Sequence, residues 1–380
     1  MTNKTAFGFR AIATDGAARA GVLQTARGEI DTPVFMPVGT FGALRGILPV
    51  EARQLGFDII LGNTFHLWLQ PGADIVRRFG GLHGFGGWRG AILTDSGGYQ
   101  IFSLRERCVI KEEGALFRSP RDGSKHLLTP EVSMQVQRDL NSDIVMVLDQ
   151  CIDARADEQT ARAAMELSCR WALRCRHAHD GHDGNDNALF GIVQGGAHKH
   201  LREHSARQLC AMGFDGYAIG GLAVGESKEV MRAVVADTAA CLPPDAPRYL
   251  MGVGTPADIA DAVERGVDMF DCVLPTRNGR NGQMFCSDGV LKLRNAAHRG
   301  SEQPPDAGCD CPVCRRFSRA YLHHLFAVGD ALGGRLAAMH NLAFYRRLMT
   351  KLRTAIVGGR LAEEARAVRE VYARHETKSA

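Results

Sequence analysis

LFGIVQGGAHKHLREHSARQLCAMGFDGYAIGGLA, residues 189–223, holds one complete repeat of the fold. Its ends, LFGIVQGG (189–196) and GYAIGGLA (216–223), are short unbroken apolar runs that finish on glycine or polar residues. Between them HKHLREHSARQLCAMG (198–213) reads as a helix. Apolar runs that do not alternate are expected of strands covered by helices on both faces. The unit is strand, helix, parallel strand.

Six further runs of this kind lie outward from it: VFMPVGT (34–40), DIILGNT (58–64), AILTDS (91–96), DIVMVLDQ (143–150), YLMGVG (249–254) and MFDCVLP (269–275). Helix-like segments separate several of them, TPEVSMQVQRDL (129–140), DEQTARAAMELSCRWALRCRHA (157–178) and TPADIADAVERG (255–266). Eight parallel units without a nucleotide-type glycine fingerprint after the first favour an α/β fold closed into a (β/α)8 TIM barrel over an open doubly wound sheet. Asp95, Asp149, Gln194, Gly221 and Asp271 fall at or near the C-terminal ends of five different runs, the ends that converge on the active face of such a barrel. Helix capping would account for any one of them, less readily for all five. Residues 98–128 are too long for a βα loop and predict strands or a lid beside the site.

The composition fits a globular protein, with 45% hydrophobic and 23% charged residues and 43 glycines. No apolar stretch reaches membrane-spanning length, and the start MTNKTAFGFRAIATDG lacks an apolar leader core, so no membrane partner and a cytoplasmic location are expected. Eleven cysteines, an odd number, argue for reduced thiols over a disulfide framework. Charge is uneven: residues 277–380 hold 18 Lys+Arg against 9 Asp+Glu, while the rest of the chain is net negative. A polyanionic partner on one side would explain this, as would a solvated basic helix face.

Cys309, Cys311 and Cys314 stand within six residues, and His340 follows on a predicted helix. Three thiolates and an imidazole suit a tetrahedral Zn2+, and four protein ligands leave no open position, so the expected role is structural. His323 and His324 are rival fourth ligands, and buried free cysteines are the plain alternative. Before this cluster NGRNGQMFCSDGVLKLRN reads as a hairpin. The expected organisation is one TIM-barrel catalytic domain over residues 1–380, with a zinc-binding subdomain, 279–345, inserted near the C-terminus.

Asp95 in TDSGGYQ and Asp271 in FDCVLPTRNGRNG are two carboxylates expected on the same barrel face. Such a pair suits displacement at an anomeric carbon, one attacking and the other managing protons, although either could instead bond a backbone turn.

The strings TDSGGYQ, VQGG, GGLAVGE, YLMGVG and FDCVLPTRNGRNG, with the cysteine–histidine spacing, closely resemble bacterial tRNA-guanine transglycosylase, from about residue 35 to the helix after His340. The resemblance implies exchange of the wobble guanine in the anticodon loop of GUN-anticodon tRNAs for preQ1, 7-aminomethyl-7-deazaguanine, in queuosine biosynthesis. It implies a pentosyltransferase working by double displacement through a covalent Asp–ribose intermediate. Matched residue by residue, it implies Asp271 as nucleophile and Asp95 as general acid/base. Asp149, Gln194, Gly221 and Leu222 then recognise the base, Tyr99 and Met251 sandwich it, and Cys151 stands near the 7-substituent. Arg277 and Arg280, directly after the nucleophile run, are placed to hold neighbouring nucleotides, or else to pair with a loop carboxylate. The resemblance further implies one structural Zn2+ per chain and a homodimer. Gln150 departs from the family pattern, where a Glu is expected beside the recognition Asp.

Three rival readings remain. A direct queuine-inserting transglycosylase would share nearly every residue. A retaining glycosidase would share barrel and carboxylates, but the purine-edge set Asp149, Gln194 and Gly221 speaks against it. A tRNA-binding subunit without chemistry would not need both Asp95 and Asp271.

Overall fold

A computed structural model describes residues 7–104, 107–182 and 186–376. All eight apolar runs are strands: β1 (Val34–Gly39), β2 (Ile59–Gly62), β3 (Ala91–Thr94), β4 (Ile144–Met146), β5 (Ala188–Val193), β6 (Gly216–Ile219), β7 (Arg248–Leu250) and β8 (Met269–Cys272). Each pairs in parallel with its neighbours, β8 returns to β1 and β3 pairs with β4, so the barrel is closed. Nearly every strand residue is buried, which is why the sequence shows no alternation there.

The helices expected at 129–140, 157–178, 198–213 and 255–266 are Pro130–Leu140, Glu158–Asp180, Lys199–Met212 and Pro256–Glu264. Thr129, Asp157 and Thr255 cap three of them by accepting bonds from the backbone amides of Val132, Thr160 and Asp258. These three helices are thus capped by residues at their own starts, not by the strand-end acids.

Residues 98–128 form the helix Gly98–Ser103 followed by an antiparallel sheet of Cys108–Ile110, Ala115–Arg118 and Lys125–Leu128. After β8 come the helix Leu274–Arg280 and the hairpin Gln283–Cys286 with Gly289–Lys292. The chain then runs through the cysteine cluster and Arg319–Val328 to the long helix Ala331–Val357, which continues past residue 345. Asn341 binds this helix to the insertion, donating to the carbonyls of Pro275 and Gln283 and accepting the Phe285 amide.

One element was not read from the sequence. An antiparallel sheet of Gly8–Asp15, Ala18–Thr25 and Gly28–Thr32 precedes the barrel. Arg19 ties it down, pairing in the interior with Asp268, directly before β8. No helix among the described residues is long and apolar enough to cross a membrane.

Candidate active site and metal centre

The C-terminal ends of the strands open into a cavity of about 680 Å³ whose lining includes Asp95, Asp149 and Asp271 together. Tyr99, Cys151, Gly221, Leu222, Met251 and Arg277 line it as well. Gln194 stands just behind, with Nε2 2.6 Å from Oδ2 of Asp149. Arg280 is half-buried outside the lining, its Nη1 without a partner. Burial and the neighbouring Arg45 and Arg277 lower its pKa.

The three acids differ in their surroundings. Asp95 accepts from Asn63 Nδ2 at 2.5 Å, the Thr64 amide at 2.7 Å and Gln100 Nε2 at 3.1 Å. Burial still dominates and pushes its carboxyl up to about 6, with the negative charge of Asp271 adding to the rise. Asp271 receives the Tyr249 hydroxyl at 2.6 Å and the Gly252 amide at 2.8 Å, both on Oδ1. Burial raises its pKa and these two donors oppose the rise. Asp149 is raised by burial too, offset by Gln194, Cys151 and Ser96.

Close approach explains two glycines here. A Cβ on Gly98 would lie 2.4 Å from Asp149 Oδ1, and one on Gly221, at φ +67°, would lie 2.5 Å from Gln194 Oε1. In the next loop Glu226 accepts the amides of Ala223 at 2.6 Å and Val224 at 3.0 Å. Because the two ends of a trans peptide point oppositely, the Leu222 carbonyl is turned away from Glu226.

Sequence reasoning missed Asn63, Gln100, Tyr249 and Glu226. Asn63 and Glu226 end apolar or glycine-rich runs and could have been noticed there. Tyr249 lies within a strand, and only the barrel geometry brings it to Asp271.

Cys309, Cys311, Cys314 and His340 come together in the interior, with ligand atoms all within 4.8 Å of one another. Nδ1 of His340 lies 3.8, 3.6 and 3.2 Å from the three sulfurs. A tetrahedral Zn2+ with bonds near 2.3 Å needs ligand separations of about 3.8 Å, so the donor set fits a metal of that kind. The other ring nitrogen, Nε2, is 2.8 Å from the Phe285 carbonyl, which holds its proton and leaves Nδ1 free to ligate. His323 is turned away, with Nδ1 on the Leu293 carbonyl at 2.8 Å, and His324 is exposed. All eleven cysteines are free of disulfides.

A closed barrel with a carboxylate-lined cavity at its strand ends and a thiolate–imidazole cluster has the make-up of a TIM-barrel enzyme suited to displacement at a glycosidic carbon. Residues 15–374 match the family model described as Queuine tRNA-ribosyltransferase, and the chain belongs to that family. Relatives carrying the same name include one from Azotobacter vinelandii, 57% identical over 354 residues, covering 93% of this chain and 95% of that protein. Another, from Nitrosomonas europaea, is 56% identical over 358 residues, covering 94% and 96%. A third, from Francisella tularensis subsp. novicida, is 54% identical over 359 residues, covering 94% and 97%.

Proposed function

We propose that this protein exchanges the wobble guanine of GUN-anticodon tRNAs for preQ1 through a covalent intermediate on Asp271. One observation carries the reading: two carboxylates of different tuning, Asp95 and Asp271, border one cavity with a third, Asp149, set apart beside Gln194. Oδ1 of Asp271 is held by two donors, so Oδ2 is the oxygen that attacks ribose C1′. As the C1′–N9 bond breaks, guanine leaves with the electron pair and takes a proton from the Asp95 carboxyl. PreQ1 then attacks C1′ through N9, returns that proton to Asp95 and releases Asp271. Two displacements give net retention. A carboxyl poised near 6 serves both directions of proton transfer.

Ionised Asp149 accepts the purine N1–H and 2-amino group, while the second Nε2 hydrogen of Gln194 and the Gly221 amide donate to O6. The Leu222 carbonyl receives the aminomethyl ammonium, beside Cys151. Tyr99 and Met251 enclose the base and keep water from the ester. The anticodon loop is single-stranded, so its wobble base can be turned into the cavity. Arg277 and Arg280 hold the flanking nucleotides. The cysteine–histidine cluster carries one structural Zn2+, in the subdomain of residues 279–345. The enzyme works in the cytoplasm as a homodimer.

Incubation with unmodified tRNA and labelled guanine, preQ1 or queuine tests the reading. PreQ1 is expected to enter and queuine not; the reverse would make this a queuine-inserting enzyme, as the relatives' names have it. The wild type should give a denaturation-resistant protein–tRNA adduct, and an adduct of normal yield from Asp271→Asn would refute the nucleophile.

A further inference from the structure

Arg202 sits on the helix Lys199–Met212 with 1% of its surface exposed, and no carboxylate forms an ion pair with it among the described residues. Burying a guanidinium in this way is costly unless its donors are used. They are. Nε donates to the Gly196 carbonyl at 2.6 Å, Nη2 to the Gly220 carbonyl at 3.0 Å, and Nη1 lies 3.5 Å from the Val193 carbonyl. Burial lowers its pKa to about 10, with Glu226 opposing, so it stays charged at neutral pH.

Those three carbonyls belong to two separate strand ends and their loops. Val193, the last residue of β5, and Gly196 bracket Gln194, and Gly220 directly precedes Gly221 after β6. A Cβ on Gly220 would lie 2.6 Å from Ile192 Cγ2 and 2.8 Å from Gln194 Nε2, and one on Gly221 2.5 Å from Gln194 Oε1, so the Gln194 side chain packs directly on this second loop. From the same helix Ser205 Oγ accepts the Gln194 amide at 3.3 Å. One planar fork therefore bridges the loop that carries Gln194 and the loop that carries Gly221.

We propose that Arg202 is a positioning residue for base selection, fixing the separation of Gln194 and Gly221 and hence the fit of the slot to the purine O6. The inference rests on the base-recognition reading above and adds the residue that holds its geometry. A lysine cannot replace the fork, because one ammonium cannot reach both loops in the same plane.

The test compares guanine, 6-thioguanine and hypoxanthine as competing bases for the full-length enzyme and tRNA. Thioguanine alters only the O6 position, whereas hypoxanthine lacks the 2-amino group assigned to Asp149. Arg202→Lys is expected to raise KM for guanine about 10-fold with kcat within about threefold, and to erode the guanine preference over 6-thioguanine by a similar factor. The preference over hypoxanthine should be kept. Ser205→Ala, a smaller change, should move the thioguanine ratio the same way about twofold; should R202K not fold, an unchanged ratio in S205A overturns the proposal. A folded R202K that loses kcat alone, or leaves the thioguanine ratio unchanged, overturns it also. A wild type that does not prefer guanine over hypoxanthine would instead overturn the base-recognition reading beneath it.

Discussion

Tyr249 donates its hydroxyl to Oδ1 of Asp271 across 2.6 Å, from a side chain that is itself fully buried in the barrel. The bond fixes the carboxylate's rotation and stabilises its charged form against burial. Tyr249→Phe removes one of the two donors and nothing of the ring. The Asp271 pKa then rises further, so the acid limb of kcat/KM should move to higher pH and the rate at pH 6 fall about 10-fold. A pH–rate profile decides; an acid limb that stays in place means that the hydroxyl does not tune Asp271.

Asp95 gives a prediction about stability. Its folded pKa is raised from 3.8 to about 6, so between those values the folded chain keeps a proton that the unfolded chain has lost. That contribution is fully present below about pH 4 and is lost as pH rises through 6, an effect of order 3 kcal/mol. Asp95→Asn cannot titrate. Denaturant unfolding of both proteins should show the wild type gaining stability relative to D95N as pH falls from 7 to 4, and a difference flat across that window would contradict the raised pKa.

Gly98 is the first residue of a helix, where alanine would ordinarily be favoured over glycine. A methyl there meets the Asp149 carboxylate at 2.4 Å and the Asp149 backbone carbonyl at 2.7 Å. Gly98→Ala should therefore raise KM for the base by about 100-fold and lower the melting temperature by several degrees, because the backbone as well as the side chain must give way. Unaltered base affinity would show that Asp149 can move aside.

The barrel was legible because burial on both faces strips strands of alternation, and because the polar ends of MFDCVLP and AILTDS break that pattern abruptly. The sheet Gly8–Thr32 lacks this signature: its first strand is half-exposed, with mixed polar and apolar residues, and only the Asp15–Gly16 turn between two strands marks it. Within the site the three acids could be read, with Gln194 and Cys151 beside Asp149, but not the residues that hold Asp95 and Asp271. Arg202 was not legible either, since HKHLREHSARQL reads as a solvated polar helix until Arg202, Ser205, Ala206 and Leu209 are seen to share its buried face. The cysteine–histidine cluster was the easiest to read, because three of its four residues are nearly contiguous.

Arg277 is exposed on the cavity rim, where a phosphate or base of the loop would meet it. A contact to phosphate releases about one counterion, so Arg277→Ala should weaken tRNA binding uniformly across GUN tRNAs and reduce the slope of log K against log salt by about one. If affinity falls but the slope holds, Arg277 reads a base and does not hold a phosphate.

The cysteine–histidine cluster lies outside the cavity lining, and loss of a metal held there should be felt first as stability. His340 lies on the helix whose Tyr345 reaches the Gly254 carbonyl at 2.5 Å, in the loop that follows Met251. The same helix packs on the insertion through Asn341, so the ligands bind the hairpin side of the insertion to a helix that buttresses the barrel. Cys311→Ser leaves a hydroxyl that coordinates Zn2+ poorly, and the purified variant should carry less than about a tenth of the wild-type metal. Its melting temperature should fall by several degrees, while base affinity in the protein that remains folded changes less than about threefold. Wild-type zinc content in C311S would remove Cys311 from the ligand set, and a base affinity that collapsed along with the metal would show that the helix transmits the cluster's geometry to the Met251 loop.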